Sequence, residues 1–161
     1  MCYSEYFCTM NQTKEQTVEK ALAHFKEGFA CSQSVMLAFA NEFNLNKNHV
    51  LAMTSTMGGG MGRLRRTCGA VTAGFMVIGL KYGNTEPDDM DNKLNGYRKV
   101  REMNKQFEAI HGTSVCKELL AAVASDDQVK RREHHRMVCD NCVKTATELT
   151  YDMLDQDFSC V

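Results

Sequence analysis

The chain has 161 residues, of which 43% are hydrophobic and 24% charged, with 19 basic and 20 acidic side chains. This length suits one domain with its own core, and the charge balance gives no whole-protein reason to expect nucleic acid or an anionic membrane as partner. No apolar run reaches the roughly 18 residues of a membrane-spanning helix. The first residues also lack the basic segment and apolar core of a secretory signal, so we expect a cytoplasmic protein.

Cysteine is the unusual residue type. Eight cysteines among 161 residues are about 5% of the chain, which is below the roughly 8–10% that marks a disulfide scaffold. In a reducing compartment, thiols are more often catalytic, redox-sensing or metal-binding than structural. A free cysteine can also be a small buried hydrophobe, and we expect that role for about half of the eight.

The predicted secondary structure is entirely helical, because the chain has a single proline and few β-branched runs. Hydrophobic spacing and capping residues predict helices. They cover about residues 14–28, a segment from Cys31 through Phe43, a short segment from Asn46 or Asn48 to the glycines at 58–60, and then 68–82, 88–111, 114–123 and 128–155. The glycine-rich segment 58–62 is predicted as a loop, because so many glycines would melt a helix. Thr67 is the expected cap of the helix over 68–82.

That helix differs from the others because it is apolar nearly all round, so we expect it to be central and buried. Its interior holds several small residues, and each glycine among them costs roughly 1 kcal/mol relative to alanine. We expect another backbone to approach closely in return. The predicted fold is therefore all-α, a single compact bundle of six to seven helices with a buried small-residue central helix. It covers residues 13–156 and follows an N-terminal extension of residues 1–12.

The two long helices each have an expected inner face. In the helix over 88–111 this face consists of Leu94, Tyr97, Val100, Phe107 and Ile110. In the helix over 128–155 it consists of Cys139, Val143, Ala146, Leu149 and Met153. Their spacing follows the helical period.

Cys31 and Cys68 are each expected in the first turn of a helix, where free N–H groups and the helix dipole stabilise an anion. We therefore expect lowered pKa values for both thiols, since the thiolate is the form that attacks disulfides or binds metal. Arg63, Arg65 and Arg66 lie just upstream of Cys68 and could add positive potential. For Arg65 and Arg66, a solvated turn is the alternative interpretation.

Cys139 and Cys142 form a Cys-x-x-Cys pair, a spacing that permits a redox dithiol or half of a zinc site. A thioredoxin-like protein would need a βαβ context. A c-type haem attachment needs histidine after the second cysteine, where Val143 stands, so we expect no covalently attached haem. The sequence also permits a zinc site formed by Cys139 and Cys142 with His134 or His135.

The order of these motifs resembles the C_GCAxxG_C_C family of redox-active proteins. The residues that carry the resemblance are Phe29-Ala30-Cys31, Gly62-Arg63, Thr67-Cys68-Gly69-Ala70-Val71-Thr72-Ala73-Gly74 and two further single cysteines. The resemblance covers roughly residues 15–155. It is fairly specific, because the four-cysteine order surrounds the short Cys-Gly-Ala-x-x-Gly core.

The resemblance implies redox-active or metal-binding thiols and no named reaction. The residues that it marks as family cysteines are Cys31, Cys68, Cys116 and Cys139. It leaves Cys142 as an extra cysteine, with Cys2, Cys8 and Cys160. The candidate residues for contact with a cofactor are Gly69, Gly74 and Arg63. Analogy with split-Soret cytochromes, which look like relatives in their helical part, implies a homodimer.

Two functions of different classes follow as hypotheses. The first is a thiol redox protein in which Cys31 and Cys68 attack and resolve a mixed disulfide. The second is a binding module in which the four family cysteines hold an iron–sulfur cluster or zinc. A structural protein with incidental cysteines is the third reading. We expect an unidentified redox partner, no nucleic acid and no membrane.

Overall fold

The computed structural model describes residues 10–121 and 127–155. In chain order its helices are α1 (Lys14–Lys26), α2 (Cys31–Phe39), α3 (Lys47–Ser55), α4 (Gly58–Met61), α5 (Gly69–Tyr82), α6 (Met90–His111), α7 (Cys116–Leu119) and α8 (Gln128–Asp155). Two of them, α4 and α7, are single turns of four residues. The predicted all-α bundle is confirmed, and the only β pairing in these ranges is an isolated bridge between Thr67 and Val115.

The first helix begins as its capping box predicts. The Thr13 hydroxyl accepts a hydrogen bond from the Gln16 N–H, and the Gln16 side chain accepts one from the Thr13 N–H. This pairing satisfies two of the N–H groups that a helix start leaves free. The proposed domain boundary at residue 12 stays a prediction, and Cys2, Cys8 and Cys160 lie outside the described ranges.

The helix α5 is the centre of the bundle, as its composition predicts. It packs against α2, α6 and α8, and Ala70, Val71, Ala73, Val77 and Ile78 are fully buried. Most residues of α5 between Gly69 and Ile78 are buried, and its apolar side chains form part of the main hydrophobic core. In the described part of the chain, no helix combines the length and the apolar character that crossing a membrane requires.

The inner face predicted for α6 is partly wrong. Leu94, Tyr97 and Ile110 are more than half exposed, whereas Met103 and Phe107 are fully buried. The side of α6 that packs against α5 and α8 is offset around the helix from the predicted face. The buried line therefore follows Gly96, Met103 and Phe107, and the other apolar residues lie beside it.

The inner face predicted for α8 is confirmed at its carboxyl end. Val143, Ala146, Leu149 and Met153 are buried. Cys139 is only half-buried, and Cys142 is the buried cysteine. The first half of α8 is largely exposed, so the buried face begins at Cys142.

Gly74 lies where α5 meets α6 and α8. A Cβ at this position would lie 2.4 Å from Met103 Cε and 2.5 Å from Thr150 Oγ1. The close neighbours of Gly74 are side chains, whereas the expected close approach of another backbone occurs at Gly69, where a Cβ would lie 2.8 Å from the Met57 carbonyl oxygen. It does not occur at Gly79, where a Cβ would meet nothing within 4 Å.

These two glycines offer a matched test of packing. We expect Gly74→Ala to destabilise the protein by about 1–2 kcal/mol, because overpacking at the helix contact outweighs the gain in helix propensity. We expect Gly79→Ala to stabilise it by about 0.5–1 kcal/mol, because propensity acts alone there. Urea unfolding followed by circular dichroism measures both, and equal shifts of the same sign would contradict this account of α5.

Candidate functional site

The five described cysteines line one cleft of about 700 Å³. All five are free thiols, and four are buried, whereas Cys139 is half-buried. The cleft thus brings together the four cysteines that the resemblance marks. It also contains Cys142, which the sequence interpretation set aside as an extra.

Three of these cysteines lie at helix starts. Cys31 and Cys116 are the first residues of α2 and α7, and Cys68 is the residue that caps α5. The expected cap Thr67 is therefore one residue too early. Thr67 instead pairs with Val115 in the isolated bridge.

That bridge explains how Cys68 and Cys116 come together across a long stretch of sequence. The Cys68 N–H donates to the Ser114 carbonyl at 2.8 Å, and the Cys116 N–H donates to the Arg66 carbonyl at 2.7 Å. The backbone before α5 is thereby hydrogen-bonded to the backbone before α7. Both cysteines are fixed by main-chain atoms.

The glycine segment, expected as a loop, forms the single turn α4 and has an unusual backbone. All residues from 59 to 63 have positive φ, with 65°, 72° and 61° at Gly59, Gly60 and Gly62, and 61° and 64° at Met61 and Arg63. Glycine adopts this left-handed conformation at little steric cost, whereas each other residue pays about 1–2 kcal/mol. The result is a tight left-handed turn, and Gly59, Gly62 and Arg63 line the cleft.

Two glycines have no room for a side chain beside the thiols. A Cβ at Gly69 would lie 2.7 Å from Cys31 Sγ and 2.8 Å from the Met57 carbonyl oxygen. A Cβ at Gly60 would lie 2.6 Å from Cys116 Cβ. Gly69 therefore lets the start of α2 reach Cys68, and Gly60 lets the left-handed turn pack against Cys116.

Three buried thiols form a row. Cys68 interacts with both Cys31 and Cys142, and these side-chain interactions shift the pKa values of the row. The interaction with Cys142 raises the pKa of Cys68, the interaction with Cys31 lowers it, and burial raises it again, to about 12. The interaction with Cys68 and burial raise the pKa of Cys31 well above its usual range.

The expectation of lowered pKa values at Cys31 and Cys68 is therefore wrong. The helix-start effect is present, because the N–H of Ser32 lowers the pKa of Cys31 and the N–H of Val71 lowers that of Cys68. The N–H of Gly59, which belongs to α4, also lowers the pKa of Cys31. Burial and the thiol–thiol interactions outweigh these effects. Desolvation disfavours a thiolate in an apolar interior, and the sequence pattern does not reveal burial depth.

The other two cysteines lie beside Arg65. The Arg65 guanidinium donates to Cys116 Sγ at 3.8 Å. Burial raises the pKa of Cys139 to about 12, and the nearby Cys31, Cys116 and Asp140 act in the same direction. The charge of Arg65 opposes that rise. Arg65 thus lines the cleft and contacts a thiol, which the alternative of a solvated turn does not include.

The three residues considered for cofactor contact have different positions. Gly69 and Arg63 line the cleft, and Gly74 does not. Gly74 lies instead at the crossing of α5 with α6 and α8, where its small size serves helix packing. Neither His134 nor His135 lines the cleft.

Metal ligation has a stricter geometric requirement than a shared cleft. In residues 10–121 and 127–155, no group of three or more histidine, cysteine, aspartate or glutamate side chains is arranged to hold a metal ion. The thiols as placed do not fit a closed iron–sulfur or zinc site, which needs four ligands. Metal binding stays a prediction.

The sequence interpretation missed the part that Cys142 plays. The Cys-x-x-Cys spacing was a usable signal, because residues three apart on a helix lie on the same face. Both cysteines are in α8, so both point towards the same cleft. The resemblance assigns the last family position to Cys139, because Cys139 stands four residues before Val143 and the sequence of the closing helix, and this assignment leaves Cys142 as an extra.

Residues 29–153 match the family described as "Putative redox-active protein (C_GCAxxG_C_C)", which confirms the resemblance. The comparisons with curated proteins and with solved structures returned no match. Homodimer formation and a cytoplasmic location stay predictions.

The raised pKa of Cys68 has a measurable consequence. With a pKa of about 12, its thiolate fraction at pH 8 is about a thousandfold below that of an ordinary cysteine. We expect alkylation of native Cys68 to rise about tenfold per pH unit from pH 8 to 10.5 without levelling off. Iodoacetamide labelling with peptide mass spectrometry measures this rate.

The same peptide from urea-unfolded protein is the control, and its rate should level off near pH 9. The shape of the profile decides the question, because poor access lowers the rate equally at every pH. A plateau near pH 9 in the native protein would show that the thiol row does not hold its protons.

Proposed function

Because the chain belongs to the C_GCAxxG_C_C family of redox-active proteins, we propose that it is a dithiol–disulfide oxidoreductase with Cys68 as the central exchanging thiol. The observation that carries the proposal is the thiol row. Cys68 neighbours two further thiols, Cys31 and Cys142, on the wall of one cleft. The proposal requires the Cα atoms of each pair that forms a disulfide to lie within about 7 Å of each other.

The reaction uses an external disulfide as oxidant. A protein thiolate attacks one sulfur of that disulfide, forms a mixed disulfide and expels the first small thiol. A neighbouring protein thiolate then attacks the protein sulfur, forms the internal disulfide and expels the second. Two protein thiols lose two electrons and two protons, and one disulfide becomes two thiols. The reverse sequence reduces the protein.

A row of three thiols adds a step that a pair lacks. In a Cys31–Cys68 disulfide, the sulfur of Cys68 lies next to Cys142. Attack by the Cys142 thiolate on that sulfur forms a Cys68–Cys142 disulfide and releases Cys31 as a thiol, with no net oxidation. Both disulfides therefore contain Cys68, and the thiol that is free beside one disulfide can attack Cys68 to form the other.

The raised pKa values define the conditions of this chemistry. Protonated thiols are weak nucleophiles, so the buried row reacts slowly at neutral pH unless a proton is removed first. Cys139, the half-buried member of the cleft, is the thiol that an entering molecule reaches first. We assign the first encounter to Cys139 and the stable disulfide to the row.

Limited oxidation tests the assignment. The protein is treated at pH 8.5 with 2-hydroxyethyl disulfide, quenched with N-ethylmaleimide and analysed by non-reducing peptide mass spectrometry. We expect an internal disulfide that contains Cys68, with two small thiols released for each disulfide formed. The variants Cys31→Ser and Cys142→Ser should each retain the disulfide between the two cysteines left in the row.

Cys68→Ser is the decisive variant. It removes the shared member of the row, so we expect loss of the second released thiol and persistence of mixed disulfides on the remaining cysteines. Cys160→Ser, outside the four-cysteine pattern, is the matched control and should behave as the unaltered protein. Internal disulfides that never include Cys68 would overturn the proposal, and metal analysis of anaerobically purified protein tests the metal-binding alternative.

A further inference from the structure

The charge of the thiol cleft is the observation that leads further. Among the described residues that line it, the charged side chains are Arg63 and Arg65, and no carboxylate is present. The remaining lining is cysteine, glycine, apolar side chains and the neutral polar Gln33 and Ser55. A molecule in the cleft therefore meets two positive charges that no lining residue neutralises.

Both arginines occupy the cleft wall at a conformational cost. Arg63 and Arg65 have φ values of 64° and 62°, in the region where a non-glycine residue pays about 1–2 kcal/mol. Glycine would fit both positions with less strain. Strain of this kind persists where a side chain is needed, and it is typical of binding and active sites.

Arg65 connects this positive charge to the thiols. Its guanidinium donates to Cys116 Sγ at 3.8 Å, and its charge reaches Cys139, where it opposes the effects of burial and of Asp140. A guanidinium presents several N–H donors in a plane and binds a carboxylate through two of them. An anion held by Arg65 would lie beside Cys116 and Cys139.

The size of the cleft limits what can enter. A volume of about 700 Å³ lies within the range of about 300–1,000 Å³ that small-molecule sites occupy. It accommodates a low-molecular-weight disulfide and excludes a folded protein domain. The glycines of the left-handed turn that line the cleft have no side chains to occupy its volume.

We propose that the cleft takes a small anionic disulfide, with carboxylates held by Arg65 and Arg63 and the sulfur–sulfur bond presented to Cys139 and Cys116. The proposal rests on the proposed thiol–disulfide exchange and names its substrate class. The arginines are positioning residues, because they bind the carboxylates and the cysteines perform the exchange. Their effect is selectivity by charge.

The first experiment measures the charge of the cleft without disulfide exchange. Iodoacetate is anionic and iodoacetamide neutral, and both alkylate the same thiolate, so their rate ratio at one cysteine cancels access and pKa. We expect this ratio at Cys139 and Cys116 to be about 5–10 times that of the unfolded protein at low salt. It should fall towards the unfolded value in Arg65→Gln and with added salt.

Two variants control this measurement. Arg65→Lys keeps the charge and should keep most of the ratio. Arg101→Gln removes the same charge from the exposed surface of α6, outside the cleft, and should leave the ratio unchanged. Equal ratios in native and unfolded protein, or an equal loss in Arg101→Gln and Arg65→Gln, would overturn the anion site.

The second experiment compares disulfides of similar size and different charge. The series is 3,3′-dithiodipropionate with two negative charges, neutral 2-hydroxyethyl disulfide and cystamine with two positive charges. We expect the anionic disulfide to react fastest, Arg65→Gln to slow it about 5–20-fold, and the neutral disulfide to change less than about twofold. Arg63→Gln should have a smaller effect in the same direction.

The outcomes separate the two proposals. Oxidation at rates independent of charge would overturn the anionic substrate and leave thiol–disulfide exchange standing. A charge-selective alkylation ratio without reaction of any disulfide would overturn exchange and leave an anion site beside the thiols. Oxidation that is selective for the anionic disulfide, and that loses this selectivity in Arg65→Gln, supports both proposals.

Discussion

The contact between the starts of α2 and α5 is the constraint on which the thiol site depends. Gly69 leaves the space in which Cys31 Sγ lies, since a Cβ there would be 2.7 Å from that sulfur. The same space admits the Met57 carbonyl, which precedes the left-handed turn. One missing side chain therefore allows two buried thiols and a strained turn to share one wall of the cleft.

Much of the fold could be predicted from the sequence because it depends on local patterns. The capping box at Thr13, the apolar composition of residues 69–82 and the glycine at 112 each lie within a single helix or at its end. The inner face of α6 was harder to predict. Leu94 and Ile110 lie at helical spacing, yet their exposure depends on which side of α6 faces α5 and α8, and this is a tertiary property.

The site shows the same division. The position of Cys31 as a first helical residue follows from local sequence, and so does the motif around Cys68, whereas the helix predicted over 114–123 is the single turn Cys116–Leu119. The raised pKa values of Cys31 and Cys68 do not, because they arise from burial and from thiols that approach through the fold. Cys142 belongs to the same class, since its contact with Cys68 joins the middle of α8 to the start of α5.

Cys68 is both a member of the thiol row and the cap of the central helix. The N–H of Val71, one of the donors that a helix start leaves unsatisfied, lowers the pKa of Cys68 and so stabilises its thiolate more than its thiol. Reduced, ionised and disulfide-bonded sulfur differ as hydrogen-bond acceptors, so a change of oxidation state also changes how well α5 is capped. Because α5 packs against α2, α6 and α8, the redox state of one sulfur is coupled to the unfolding free energy of the whole bundle.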